Sequence, residues 1–176
     1  MLILEGVKVA SVVSVEMNPA TYSRLLVNLH SNIGPSAVAI NAAACGTDAE
    51  PEIWLAASRG STGYSMNGNM AGGTTPHVAV KTTTFESLYN QYFTARRIDI
   101  CKIDIEGAEY DLLDSSQDDL LRKIRYLLIE FHDHSRTPAV ISRFAELGFS
   151  DLTDNRPGRA GEHTEVRFFR GPEAGS

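Results

Sequence analysis

The chain has 176 residues and a formal net charge of −6 at pH 7, with 43% hydrophobic and 22% charged residues. This length suits one domain, and the composition is ordinary for a soluble globular protein. The acidic balance and the lack of a basic run argue against nucleic acid as a partner, and no apolar stretch is long enough to span a membrane. We therefore expect one domain over residues 1–170 and a frayed tail over residues 171–176.

In the first half of the chain, predicted strands and helices alternate. Residues 9–16 are β-branched and mostly apolar, which is typical of a strand buried on both faces. Asn18 and Pro19 then begin a helix as its cap and first residue. Its apolar side is formed by Leu25, Leu26 and Leu29. The later predictions are a buried strand at 37–44, a short strand at 52–56, a Gly/Ser-rich loop at 58–76, a strand at 77–83 and a helix at 85–92 capped by Thr84.

The second half continues this alternation. Strands are predicted at 98–105 and 124–131, and helices at 108–115 and 138–147, the last ending at Gly148. Two final strands, 149–153 and 165–169, flank a polar loop at 155–163. The pattern predicts an α/β sheet of mostly parallel strands with an antiparallel C-terminal edge.

The two cysteines, Cys45 and Cys101, lie far apart in sequence and in apolar surroundings. We interpret them as buried free thiols rather than a disulfide, which fits a cytoplasmic protein. Residues 1–4 are apolar, but they are too few and lack the basic start of a signal peptide.

Polar side chains collect where the predicted strands end. Glu16 ends the first strand, and Asp104, Glu106, Glu130 and His132 lie at the ends of two later strands. Ligands of an open α/β sheet bind outside the carboxyl ends of its strands, so we predict a ligand site there. Glu16 is suited to accept hydrogen bonds from ribose hydroxyls, but it also lies near the positive end of the following helix, and both interpretations stay open.

The segment KIDIEGAEYDLL, residues 102–113, changes from strand alternation to helical spacing after Gly107. For Asp104 we favour a functional role at the end of the strand. For Glu109 we favour a structural one, because acids are common in the first turn of a helix.

Several segments together resemble the FkbM family of S-adenosylmethionine-dependent methyltransferases. The pattern K-x-D-x-E-G-x-E is the most specific of them. The resemblance implies a Rossmann-like class I methyltransferase sheet and transfer of a methyl group to a hydroxyl of a sugar or other small molecule. The matching segments are VVSVEMNPATYSRLLVNLHSN, INAAACG, VAVKTTTFESL, ICKIDIEGAEYDLL and LLIEFH.

The resemblance also implies positions for the cofactor S-adenosylmethionine. Glu16 would hold its ribose, the segment from Asn41 to Ala43 would line the adenine, and Asp104 would lie beside the methyl donor or acceptor. The predicted cofactor-binding residues are Glu16, Asn18, Asn41, Ala42, Ala43 and Asp104.

Methylation of a hydroxyl calls for a base, and three residues are predicted to be catalytic. Asp104 is the first candidate for the base and His132 the second, since an imidazole titrates near neutrality. Lys102 would keep the Asp104 carboxylate ionised.

Four residues are predicted to bind the acceptor: Ser61, Thr62, Glu106 and Glu130. A solvent-facing loop is an equally good interpretation of Ser61 and Thr62. We predict no metal. Mg²⁺ on Asp104, Glu106 and Glu130, or zinc at 132–134, are weaker alternatives.

The first central strand and the Gly-rich turn of this fold are not recognised in the sequence. Glu5 and Glu16 are only eleven positions apart (16 − 5), which is too close for a strand–helix–strand unit, so residues 1–5 read better as a helix end. A start placed too far downstream is one explanation. We expect a missing first central strand, a rearranged sheet or a homodimer through open strand edges, and weakened cofactor binding. The alternative function is a catalytically silent, dimeric binding module.

Overall fold

The computed structural model describes residues 9–47, 79–94, 96–153 and 164–173. Within these ranges the protein is a mixed α/β structure, as predicted. The strands are β1 Val12–Val15, β2 Ala37–Ile40, β3 Ala43–Ala44, β4 Thr82–Thr83, β5 Ile98–Ile103, β6 Ile124–Phe131, β7 Ser150–Asp151 and β8 Glu165–Arg170. The helices are α1 Pro19–Asn32, α2 Phe85–Tyr92, α3 Glu109–Ser115, α4 Asp118–Leu121 and α5 Thr137–Glu146.

The described strands form three separate sheets instead of one continuous sheet. Strand β1 is parallel to β2, and β3 is parallel to β4. The third sheet has the order β5-β6-β8-β7, in which β5 is parallel to β6 and β8 runs antiparallel to both β6 and β7. The antiparallel C-terminal edge is therefore confirmed. Among the described strands, β1 pairs only with β2 and β5 only with β6, so each has one open edge.

Helix α1 begins as predicted but is more exposed than predicted. The side-chain oxygen of Asn18 accepts hydrogen bonds from the backbone N–H groups of Ala20 and Thr21, at 2.9 and 3.4 Å. No side chain of α1 is buried, and Val27 is 64% exposed. Strands β1 and β2, predicted to be buried on both faces, are only half-buried. This two-stranded sheet lacks a described neighbour on the open side of β1, so its apolar side chains stay partly uncovered.

Two predicted strands are shorter than expected. The strand predicted at 37–44 divides into β2 and β3, because β3 leaves the first sheet and pairs with β4. Of the described residues in the strand predicted at 77–83, only Thr82 and Thr83 (β4) pair with a neighbouring strand. Helix α2 has its predicted bounds, and the Thr84 hydroxyl accepts a hydrogen bond from Ser87 N at 3.1 Å. The predicted strand at 52–56 and loop at 58–76 lie outside the described residues.

The core lies between the largest sheet and helices α2, α3 and α5. Strand β6 crosses its middle, and its alternate residues Leu127, Ile129 and Phe131 point into it. The opposite face of the sheet is only half-covered: Ile100, Val166 and Phe168 are exposed there. The fully buried side chains of β6 are Ile124, Leu127, Ile129 and Phe131.

The end of the chain is packed at least as far as Pro172. Gly171 N donates to Arg125 O at 2.8 Å, and the Arg97 guanidinium donates to Pro172 O at 2.6 Å. A Cβ at Gly171 would lie 2.0 Å from Ile124 O, so only glycine fits. The prediction of a frayed tail is therefore wrong for Gly171 and Pro172, whereas residues 174–176 lie outside the described residues.

Both cysteines are free, as predicted. Burial raises the pKa of the Cys101 thiol to about 12, so this thiol stays protonated and is a poor nucleophile at neutral pH. In the described part of the chain, no helix has the length and apolar character needed to cross a membrane.

Candidate active site

The candidate site begins at the carboxyl end of β5, where two charged residues share a face. Alternate side chains of a strand point to opposite faces, so Ile103 enters the core while Lys102 and Asp104 point outward. The Lys102 ammonium lies 2.6 Å from Asp104 Oδ2, and the two side chains are 60% and 31% exposed. The predicted pairing of Lys102 with Asp104 is therefore present.

A left-handed turn follows. Glu106 has φ 55° and Gly107 has φ 99°. Glycine adopts such values freely, but a glutamate there is uncommon and costs on the order of 1 kcal/mol. The turn lets the chain pass from strand to helix over a few residues and leaves the Glu106 carboxylate beside the end of β6.

His132, just after β6, lies between two glutamates. Its Nδ1 is 3.2 Å from Glu109 Oε1, and its Nε2 is 3.7 Å from Glu106 Oε2. The imidazole is 16% exposed, whereas the Glu109 side chain is fully buried. One ring nitrogen of His132 therefore faces the interior and the other faces the edge of the sheet.

Glu109 is the site residue whose role the sequence did not reveal. It lies in the first turn of α3, as predicted, but its carboxylate also accepts hydrogen bonds from Gly107 N and His132 N, both at 2.8 Å. A buried carboxylate is tolerated when hydrogen bonds compensate for lost hydration. The sequence contained one sign that Glu109 is buried. It lies three and four positions before the buried Leu112 and Leu113, and therefore on the same face of the helix.

Two carboxylates and an imidazole converge at the carboxyl ends of β5 and β6. One oxygen each of Asp104 and Glu130 and one ring nitrogen of His132 all lie within 4.8 Å of one another. Glu130 makes no side-chain hydrogen bond or ion pair with the described residues. Such a group could hold a divalent cation or bind hydroxyls, so the absence of a metal stays a prediction.

The segment after His132 is held by Tyr110. The Tyr110 hydroxyl donates to Asp133 O at 2.6 Å, and Asp133 N donates back to that hydroxyl at 3.0 Å. Burial raises the pKa of Tyr110, so it remains a neutral donor. Hydrogen bonds from the Ser135 hydroxyl and N–H lower the pKa of Asp133. These contacts fix the backbone on the C-terminal side of His132.

A second group of predicted residues lies at the ends of β1 and β2. Glu16 Oε1 accepts a hydrogen bond from Asn18 N at 2.8 Å, which orients the carboxylate. The Asn41 amide donates to Glu16 O at 2.8 Å and to Met17 O at 3.1 Å, so it ties the two strand ends together. Ala42 and Ala43, predicted to line adenine, are buried.

The predicted site residues therefore divide into two groups within the described residues. The cofactor-binding predictions at β1 and β2 are linked among themselves, and the catalytic and acceptor-binding predictions meet at β5 and β6. Ser61 and Thr62 lie outside the described residues. The first group contains Glu16, Asn18 and Asn41, and the second contains Lys102, Asp104, Glu106, Glu130 and His132.

Comparison with known proteins adds one match. The family model described as the Methyltransferase FkbM domain matches residues 4–150, which include both groups of polar side chains. No curated protein and no solved structure matches the chain. Since the match covers most of the sequence, the chain belongs to the FkbM methyltransferase family.

Proposed function

We propose that this protein is an S-adenosylmethionine-dependent O-methyltransferase that acts on a hydroxyl of a sugar or other small molecule. Family membership supports methyl transfer. The observation that carries the proposal further is the convergence of Asp104, Glu130 and His132 within 4.8 Å. This group offers a proton acceptor and hydroxyl-binding oxygens at the end of a parallel strand pair, where α/β proteins bind ligands.

The residues near β1 are compatible with the cofactor. The Glu16 carboxylate is oriented through one oxygen by Asn18 N–H, and its other oxygen makes no hydrogen bond with the described residues. That oxygen is suited to accept hydrogen bonds from the ribose hydroxyls. S-adenosylmethionine would supply an electrophilic methyl group on a sulfonium. Asn18, Asn41, Ala42, Ala43 and Asp104 are the other residues that we propose to hold it.

The acceptor is proposed to be a small molecule with several hydroxyls. The Glu106 and Glu130 carboxylates can accept hydrogen bonds from hydroxyls that do not react, which orients the one that does. Ser61 and Thr62 are proposed to contribute further hydroxyl contacts. A rim rich in carboxylates repels phosphate groups, which disfavours nucleic acid. The two free thiols support a cytoplasmic location.

A melting experiment tests cofactor binding directly. A ligand that binds only the folded state stabilises it by about 2.7 kcal/mol at one hundred times its Kd. We therefore expect S-adenosylhomocysteine to raise the melting temperature, and Glu16→Gln to weaken this rise. Transfer of labelled methyl from S-adenosylmethionine to a panel of sugars would then identify the acceptor. The absence of any rise at millimolar ligand would count against the enzyme.

A second candidate function is a catalytically silent, dimeric binding module. The edges of β1 and β5 that no described strand covers, and the exposed side chains of Ile100, Val166 and Phe168, favour it. Unpaired strand edges invite association with another chain. A stable dimer without a ligand-induced rise in melting temperature would support this function over the first.

A further inference from the structure

We propose that Glu109 is a positioning residue that holds His132 with its proton on Nδ1, so that Nε2 is the proton acceptor for methyl transfer. The role of Nε2 in the reaction rests on the proposed function. The tautomer itself follows from the contacts of Glu109 and can be tested without any substrate.

The contacts of the buried carboxylate determine the tautomer. Glu109 Oε1 lies 3.2 Å from His132 Nδ1. If Nδ1 were unprotonated, its lone pair would face a carboxylate oxygen at this distance, which is repulsive. Nδ1 therefore carries the hydrogen and donates it. In a neutral imidazole the other nitrogen is then the acceptor, so Nε2 has a free lone pair.

The same carboxylate also fixes the direction of the ring. Glu109 Oε1 accepts the backbone N–H of His132 at 2.8 Å, and Oε2 accepts Gly107 N–H at 2.8 Å. The main chain and the ring of His132 thus both contact Oε1 of Glu109, whereas Oε2 is bound by the N–H of Gly107 in the turn. A fully buried carboxylate held by three donors has little freedom to rotate.

On the exposed side, Nε2 faces the Glu106 carboxylate and makes no hydrogen bond with the described residues. Its distance of 3.7 Å from Glu106 Oε2 is too long for a hydrogen bond. One carboxylate oxygen each of Asp104 and Glu130 lies within 4.8 Å of a ring nitrogen of His132. A hydroxyl that reaches Nε2 would therefore meet a proton acceptor with carboxylates beside it that can accept hydrogen bonds.

Asp104 is less suited to be the base. Its Oδ2 is 2.6 Å from the Lys102 ammonium, so that oxygen already has a strong donor. A hydroxyl that approaches this oxygen must compete with the Lys102 ammonium for it. We assign to Asp104 the orientation of the acceptor beside the cofactor, and to His132 the removal of the acceptor's proton.

In the proposed step, methyl transfer to the acceptor is accompanied by proton transfer to His132. The acceptor hydroxyl gives its proton to His132 Nε2, which becomes an imidazolium, while the hydroxyl oxygen forms a bond to the methyl carbon. The carbon–sulfur bond breaks, and its electron pair returns to sulfur, so the sulfonium becomes a neutral thioether. Bulk water later takes the proton from His132.

Nitrogen-15 NMR of the imidazole side chains tests the tautomer. We expect neutral His132 to show a protonated Nδ1 and an unprotonated Nε2, with its signals identified by their loss in His132→Gln. In Glu109→Gln the preference should shift towards Nε2–H. Glu106→Gln is the matched control and should leave the tautomer unchanged. A protonated Nε2 in the neutral wild-type protein would overturn the proposal.

Kinetics separates this proposal from the proposed function. Once an acceptor has been identified, His132→Gln and Glu109→Gln should each lower kcat by about 10²–10⁴-fold with little change in KM. His132→Gln keeps its backbone N–H and the buried Glu109, so it reports even if Glu109→Gln fails to fold. Full turnover in His132→Gln would refute the catalytic role. The expected tautomer without any methyl transfer would leave the positioning contact intact and refute the proposed function instead.

Discussion

The ammonium of Lys102 lies 2.6 Å from Oδ2 of Asp104, across a single intervening residue whose side chain enters the core. Because Lys102 lies in β5 and Asp104 comes directly after its last residue, the extended backbone sets their spacing. The pair is partly exposed, so it contributes little to folding and more to the position of the Asp104 carboxylate.

Lys102→Gln should therefore separate stability from turnover. We expect the free energy of unfolding to change by less than about 1 kcal/mol, as for other exposed ion pairs. We expect kcat to fall on the order of tenfold, because a carboxylate that is free to move orients the acceptor poorly. Arg122→Gln breaks an exposed pair with Asp119 at 3.0 Å and is the matched control, with no loss of turnover. An unchanged kcat in Lys102→Gln would show that Lys102 does not contribute to turnover.

Metal binding and chelation test whether Asp104, Glu130 and His132 hold a cation. Because Lys102 already neutralises Asp104, we expect neither Mg²⁺ nor Mn²⁺ to bind measurably in calorimetry, and EDTA to leave turnover unchanged. If a cation binds, Glu130→Gln should abolish its binding, and the prediction of no metal would be wrong.

The edge of β5 that no described strand covers predicts association of two copies. Light scattering after gel filtration should give the mass of a dimer, since unpaired backbone groups beside an exposed apolar side chain favour pairing. Ile100→Glu should shift the protein towards monomer. Val27→Glu is a control of equal exposure, 64% against 63%, but on α1. A monomer at all concentrations would exclude the dimer.

Strand β6 should dominate stability. Leu127 is fully buried at its centre, so Leu127→Ala is expected to cost about 2–5 kcal/mol in the free energy of unfolding. Leu26→Ala on α1 should cost less than about 1 kcal/mol, because that side chain is half-exposed. Chemical denaturation of both variants provides the measurement, and equal losses would contradict the assignment of the core.

The segment after His132 should make stability depend on pH. The hydrogen bonds from Ser135 lower the pKa of Asp133 below its ordinary value of 3.8, so the folded state favours the ionised carboxylate. The resulting stabilisation is present above that value and is lost as the pH falls through the lowered pKa. Ser135→Ala should therefore melt lower than wild type at pH 7, with the difference shrinking towards pH 2. A difference independent of pH would point to another cause.

Local signals in the sequence predicted the elements well. The caps Asn18 and Thr84 and the apolar run of β6 act over a few residues, and the structure has them where expected. The division into three sheets was not predicted in detail, because strand pairing depends on residues far apart in the chain. The contact between Glu109 and His132 was missed for the same reason: 23 positions separate the two residues.

The left-handed backbone at Glu106 favours glycine at this position, whereas the site requires a carboxylate there. Glycine there would relieve the conformational cost but remove the carboxylate that faces His132, whereas most other side chains would keep the cost and lose the charge. Stability of the fold and the proposed chemistry of the site therefore oppose each other at this position. A change selected only for a higher melting temperature, such as Glu106→Gly, would remove a carboxylate that we propose to bind the acceptor.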